Sequence, residues 1–149
     1  MALMSKAAIV TGAAQGIGKA IAARLVKDGM RVAIVDINQE AAVAAAEELA
    51  GQYGADTMAV QCDVSQEEQV NTAVQKVLER FGTVDVLVNN AGILSLKKPF
   101  VEYTKADWDK IFGINFMGDV FFCKAVIPTM KEKKAGRIIN ICLLYTSDA

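Results

Sequence analysis

A glycine-rich segment carries the first chemical signal: residues 11–18 read T-G-A-A-Q-G-I-G, between a short apolar run and a helical pattern. Glycine tolerates the positive φ of a tight turn and lets the backbone approach an anion closely. A helix beginning at this turn offers free amides and the positive end of its dipole to a pyrophosphate. A glycine-rich turn that binds nothing is the alternative. We predict a dinucleotide site that includes Gly12, Gln15, Gly16, Ile17 and Gly18.

Asp36 ends the second apolar run and supplies the second signal. A carboxylate at this distance from the glycine segment can accept hydrogen bonds from the adenosine ribose hydroxyls. It would repel a 2′-phosphate, and neither Gln15 nor Ile37 supplies a positive charge to offset that repulsion. Asp36 therefore predicts NAD(H), with NADP(H) as the alternative cofactor. The alternative for the residue itself is an Asp that merely caps the following helix.

Five apolar runs predict the strands that must position these residues, and helical patterns separate the runs. The runs cover residues 7–10, 31–36, 57–61, 84–88 and 137–141. Runs of this kind suit strands covered on both faces, so they predict a parallel sheet with right-handed crossovers. The predicted fold is α/β, a Rossmann-like doubly wound parallel sheet that is truncated after about the fifth strand.

Two helix starts and one helix end can be predicted locally. Ser65 with Glu68, and Thr104 with Asp107, have the spacing of capping boxes. Pro128 is expected to bend or end the last helix.

Composition excludes several classes of function. The 149 residues are 53% hydrophobic with a net charge of −1, which fits one globular domain and no nucleic-acid partner. No segment approaches the roughly 18 apolar residues of a membrane span, so we expect a cytoplasmic protein without a membrane partner. Histidine is absent and the three cysteines lack metal-ligand spacing, so no metal site is expected. The cysteines are Cys62, Cys123 and Cys142.

Four further motifs follow the glycine segment in order. They are Asp63-Val64, Asn89-Asn90-Ala91-Gly92, the helical Asn115, and the strand Gly136–Ile141. Together with the T-G-x-x-x-G-x-G spacing, they resemble the short-chain dehydrogenase/reductase family from about Ser5 to Ile141. The resemblance implies cofactor contacts from Asp63, Val64, Asn90, Ala91 and Gly92. It implies a catalytic role for Asn115, which would hold a proton-relay water.

The residues have physical interpretations of their own. Asp63 follows a strand end, where parallel sheets bind ligands, and can accept from an adenine amino group. Ala91 and Gly92 are small enough to let a cofactor approach. Asn115 is polar within an apolar helical pattern, so it either serves a function or is simply a hydrogen-bonded helix asparagine.

The last eight residues depart from the family pattern. The resemblance implies a serine after the fifth strand and, about a dozen residues later, a Tyr-x-x-x-Lys motif. Leu143 stands where the serine belongs, and the segment C-L-L-Y-T-S-D-A resembles a reading frame of a common transposase sequencing adapter. We therefore predict an incomplete NAD(P)-binding domain over residues 1–141 and a non-native tail over 142–149. The alternative is a naturally truncated paralogue.

The resemblance implies an oxidoreductase that acts on a small secondary alcohol or ketone. The full-length parent protein, of which this chain would be a fragment, is expected to be a homo-oligomer. Asp36 and Gln15 favour a polyol, diol or hydroxy-acid substrate. One alternative is a parent similar to 3-oxoacyl-(acyl-carrier-protein) reductases, and another is a non-catalytic dinucleotide-binding module. The 149-residue chain itself is expected to be inactive, marginally stable and prone to association.

Overall fold

The apolar runs of the sequence become five strands of one sheet. The computed structural model describes residues 6–94 and 98–142. The strands are β1 (Ala7–Thr11), β2 (Arg31–Asp36), β3 (Thr57–Gln61), β4 (Val86–Asn89) and β5 (Arg137–Asn140). Their order is β3-β2-β1-β4-β5, and every pairing is parallel. The predicted α/β doubly wound sheet is confirmed.

Helices cover both faces of this sheet. They are α1 (Gly16–Lys27), α2 (Gln39–Tyr53), α3 (Glu67–Phe81), α4 (Lys105–Phe112) and α5 (Gly118–Glu132), with a 3₁₀ turn at Phe100–Glu102 and a π-helical turn at Gly113–Met117. Helices α1 and α2 share one buried cluster with Ala8 and Val10, whereas α3 and α5 share the other with Ala7 and Ile9. Successive β1 side chains therefore enter opposite cores, which explains why the run lacks polar alternation.

One predicted helix start is confirmed and the other is wrong. Thr104 and Asp107 form both bonds of a capping box at the start of α4. Helix α3 begins at Glu67 with Gln66 at its N-cap, and no side chain caps it. Ser65 lies one residue before the capping position and donates from its amide and hydroxyl to Asp63, so the second capping box does not form.

Helix α5 continues through Pro128 to Glu132, so the proline does not end it. The helical segment Lys105–Glu132 is 28 residues long, and its most apolar 18-residue window has a mean hydropathy of 1.4. By length and composition it could cross a membrane, contrary to the sequence expectation. One such helix is weak evidence for a membrane span; 17% of this window is buried, and α5 packs Phe122 and Val126 against the sheet.

Candidate cofactor site

A cavity of about 530 Å³ opens at the carboxyl ends of the strands. It lies where β1 has β2 on one side and β4 on the other, the point at which the strand order reverses and open α/β sheets bind ligands. All eleven residues predicted to bind cofactor line it, namely Gly12, Gln15, Gly16, Ile17, Gly18, Asp36, Asp63, Val64, Asn90, Ala91 and Gly92. The fold thus brings together all the predicted cofactor residues, whereas Asn115 lies outside this lining.

The three glycines of the segment have different structural roles. Gly12 has a φ of +60°, and a Cβ there would lie 2.9 Å from the Cα of Ala91. At Gly18, a Cβ would overlap the carbonyl oxygen of Gly12, so this position needs glycine for close packing. Gly16 has a φ of +57°, and a Cβ there would meet nothing within 4 Å. The open space at Gly16 is where a ligand can approach the backbone.

The first turn of α1 faces this open space. Gln15 occupies the N-cap position, but its side chain makes no capping hydrogen bond. The first turn also contains no acidic residue that would compete with an anion. Uncapped amides at a helix N-terminus bind phosphate groups well, so this end of the cavity fits a pyrophosphate.

Thr11 and Asn90 hold the glycine segment against β4. The Asn90 side-chain amide donates to the carbonyl oxygens of Thr11 and Gly12, at 2.9 and 3.2 Å. In return, the Thr11 hydroxyl accepts from the backbone amides of Asn90 and Ala91, each at 2.9 Å. The amide nitrogen of Asn90 is therefore engaged in positioning the loop. Sequence reasoning did not assign Thr11 this role, although a buried threonine that ends an apolar run was the available signal.

The Asp36 carboxylate is fixed at the next strand end. One oxygen accepts from the Ala14 backbone amide and the other from that of Asn38, both at 3.1 Å. Asn38, not Asp36, is the N-cap of α2, and its side chain accepts from the Ala41 amide. Each carboxylate oxygen has further acceptor capacity, so Asp36 is held in place and can still bind ribose hydroxyls.

Asp63 and Val64 form the far end of the cavity. One Asp63 oxygen accepts from the backbone and hydroxyl of Ser65, at 3.0 and 2.7 Å. Its other oxygen makes no hydrogen bond within the part of the chain that the structure describes, so it can accept from a ligand. Val64 packs against Gly118, where a Cβ would come within 2.8 Å of a Val64 methyl group.

Asn115 lies in the π-helical turn between α4 and α5. Its side-chain oxygen accepts from the Ile93 amide at 2.7 Å, and its nitrogen donates to the Ile93 carbonyl at 2.8 Å. This reciprocal pair fixes the segment that follows β4 against the helix. Both the oxygen and the nitrogen of the Asn115 side chain are thus hydrogen-bonded, as expected for the alternative of a hydrogen-bonded helix asparagine. A π-helical turn is often found at functional positions.

Asn89 connects β4 with β5. It is buried, and its side-chain nitrogen donates to the Asn140 side chain at 2.9 Å, with longer contacts to α5. On that helix, burial raises the pKa of the Asp119 carboxyl to about 6.

The two described cysteines inside the fold are unreactive. Burial raises the pKa of the Cys62 thiol to about 12 and also raises that of Cys123, so neither forms a thiolate readily.

Sequence reasoning missed five residues of the cavity lining: Ile37, Cys62, Ile93, Lys110 and Ile114. Ile37, Cys62 and Ile93 each adjoin a predicted residue in the sequence, so they could have been inferred from that adjacency. Lys110 and Ile114 lie one helical turn apart, and that spacing was their only sequence signal.

Across residues 6–94 and 98–142, no group of three His, Cys, Asp or Glu residues could hold a metal ion. The predicted serine position, Leu143, lies outside the described residues.

Fold, strand order and glycine turn together define a dinucleotide-binding α/β protein. The family model for short chain dehydrogenases matches residues 6–147, and the chain belongs to that family. It is 42% identical over 142 residues to a sorbitol dehydrogenase from Cereibacter sphaeroides, covering 95% of this chain and 54% of the relative. It is likewise 42% identical over 139 residues to a D-threitol dehydrogenase from Mycolicibacterium smegmatis, covering 93% and 53%.

Solved structures show the same similarity. A metagenomic short-chain oxidoreductase in complex with NADP matches with a TM-score of 0.91 and 33% identity, covering 100% of this chain and 67% of that one. An NAD⁺-bound xylitol dehydrogenase matches with a TM-score of 0.86 and 36% identity, covering 91% and 52%. The chain spans about half the length of the curated relatives it matches.

Proposed function

We propose that this chain is the cofactor-binding part of an NAD(H)-dependent oxidoreductase that acts on a secondary alcohol or the corresponding ketone. The supporting observation is the Asp36 carboxylate, fixed by the backbone beside the uncapped start of α1. When bound, the nicotinamide would supply the hydride acceptor or donor. The residues of this chain would bind and orient the adenosine and pyrophosphate parts.

Asp36 carries the preference for NAD(H) in this proposal. Its carboxylate can accept from both ribose hydroxyls, but it would repel a 2′-phosphate at the same place. Ile37, the next residue of the lining, is apolar and offers that phosphate no donor. The alternative cofactor, NADP(H), is bound by one of the structural neighbours, so both cofactors must be compared directly.

A polyol, diol or hydroxy acid is the proposed substrate class of the parent protein. Support comes from the names of the relatives, which include sorbitol and D-threitol dehydrogenases and a 5-keto-D-gluconate 5-reductase from Escherichia coli. A parent that reduces 3-oxoacyl thioesters is the second candidate, because a 3-ketoacyl-ACP reductase from Sinorhizobium meliloti matches at a TM-score of 0.86 and 31% identity. We further propose that the parent is cytoplasmic and homo-oligomeric.

The 149-residue chain is proposed to bind cofactor without turnover. Of the catalytic residues that the family resemblance implies, it supplies Asn115, while Leu143 replaces the serine. Residues 1–141 would then be an incomplete domain and residues 142–149 a non-native tail. Sequencing the source DNA through this region tests the tail: an in-frame stop codon followed by genomic sequence after Ala149 would contradict it.

Enzyme assays with two proteins test the proposed function. The 149-residue chain should bind NADH and oxidise no polyol. The full-length protein, expressed from the complete gene, should reduce NAD⁺ with sorbitol or threitol as the alcohol. A full-length protein that binds NADH but turns over neither polyols nor 3-oxoacyl thioesters would instead support the non-catalytic module.

A further inference from the structure

Lys110 stands apart from the other charged residues around the cavity. The lining contains two carboxylates, Asp36 and Asp63, and within the described residues Lys110 is its only cationic side chain. The dinucleotide that the proposed function requires carries a negatively charged pyrophosphate. A positive charge at the mouth of this cavity would therefore offset two like charges and attract the ligand.

The path of the helix explains how Lys110 reaches the cavity. A Cβ at Gly113 would lie 3.5 Å from the Cβ of Ser65, so the helix passes close to the loop that follows β3. Ile114, one turn after Lys110, also lines the cavity and packs against the core. Residues four apart lie on one helix face, so Lys110 extends that face outward beside the Asp63 loop.

The charge of Lys110 is not neutralised by a neighbour. Other lysines in this region form ion pairs, with Lys98 bound to Asp107 at 2.5 Å and Lys105 bound to Asp109 at 2.6 Å. No side-chain hydrogen bond or ion pair joins Lys110 to another residue in the ranges 6–94 and 98–142. Lys110 is an exposed residue of the cavity lining, so its ammonium group can turn towards a bound anion.

We propose that Lys110 is an additional determinant of dinucleotide binding, whose positive charge attracts the pyrophosphate-bearing ligand. The inference rests on the proposed cofactor function and adds a residue to it. Lys110 acts through its charge, from the helix that passes the loop after β3. Arginine can replace it, whereas a neutral side chain of similar length cannot.

Binding measurements on the 149-residue chain test this role, with ADP-ribose and NADH as anionic probes and adenosine as the neutral probe. Lys110→Met should weaken both anionic ligands by about threefold to tenfold at low ionic strength. Because salt screens an exposed charge, the loss should shrink below about twofold in roughly 0.5 M salt. Adenosine affinity should not change. Lys110→Arg should bind like the wild type.

Lys76→Met is the matched control, since Lys76 is likewise exposed and without an ion pair in the described residues, and lies on α3 outside the cavity lining. It should leave every affinity unchanged. If Lys110→Met binds NADH and ADP-ribose like the wild type, the role of Lys110 is wrong and the proposed function stands. An equal, salt-independent loss for adenosine would also overturn the charge-based role, because it would indicate a contact with the base. A wild-type chain that binds neither NADH nor ADP-ribose would overturn both proposals.

Discussion

Strands β1 and β5 belong to the same parallel sheet, yet their surroundings differ completely. All five residues of β1 are buried, and helices cover it on both faces. Strand β5 is the last strand of the described sheet, and Ile139 and Ile141 at its end are 47% and 38% exposed. The carboxyl end of β1 lies at the cavity that the predicted cofactor residues line, whereas β5 presents apolar surface. The candidate site is therefore built next to the fully buried strand, and within the described residues the exposed strand contributes nothing to its lining.

The largest expected effect contrasts the two strands directly. Ile9→Ala should lower the free energy of unfolding by about 2–5 kcal/mol, because Ile9 is fully buried and its removal leaves a cavity. Ile139→Ala should cost less than about 1 kcal/mol, because nearly half of that side chain is exposed. Urea unfolding followed by circular dichroism measures both. Equal losses would mean that β5 is covered in solution.

Two glycine substitutions test the close packing of the glycine segment beside the cavity. Gly18→Ala should destabilise the fold by about 1–3 kcal/mol and abolish NADH binding, because the added methyl group overlaps the Gly12 carbonyl. Gly51→Ala is the matched control, since it adds a methyl group in open space within α2 and should stabilise by about 0.5–1 kcal/mol. Thermal unfolding and calorimetry report the two effects. Normal NADH binding by Gly18→Ala would contradict this packing.

The helix behind β4 and β5 provides a pH test. Because burial raises the Asp119 pKa to about 6, above that of the unfolded chain, the folded state binds this proton more tightly. The Asp119 contribution therefore favours folding as the pH falls from about 7 to 4. Asp119→Asn should raise stability at pH 7 by about 1 kcal/mol, allowing for partial solvent screening. The difference from wild type should disappear near pH 4, and a pH-independent difference would contradict it.

The smallest effect on stability concerns the exposed edge of β5. Ile139→Lys should change the free energy of unfolding by less than about 0.5 kcal/mol. It should nevertheless shift the chain from associated species to monomer, because a charge on an edge strand opposes pairing with another strand. Light scattering coupled to size-exclusion chromatography measures the mass. A wild-type chain that is already monodisperse and monomeric, with a sharp and reversible thermal transition, would contradict the predicted association.

Local signals predicted most of the fold. Continuous apolar runs located all five strands, because strands buried on both faces need apolar residues at every position. The wrong helix start arose from local geometry that spacing does not show. Ser65 bonds to Asp63 in the turn before α3, and Gln66 takes the N-cap position. Pro128, expected to bend or end the last helix, does not end it. Spacing alone does not show which partner a side chain takes.

The residues that line the cavity could be predicted because glycine and aspartate have few reasons to occupy those positions. The bonds that organise the site could not, since they join distant parts of the chain. Thr11 pairs with Asn90, and Asn115 pairs with Ile93, only because β1, β4 and the helix meet in space. Lys110 was missed for the same reason, since an exposed helix lysine gives no signal by itself.

The most direct test of the account is calorimetric titration of the 149-residue chain with NADH and NADPH, repeated with Asp36→Ala. We expect the wild type to bind NADH at least about tenfold more tightly than NADPH, which corresponds to about 1.4 kcal/mol. Asp36→Ala should weaken NADH binding and remove the preference, because the repulsive carboxylate is gone. Wild-type binding of NADPH as tightly as NADH, or of neither cofactor, would contradict the proposed role of Asp36 at this cavity.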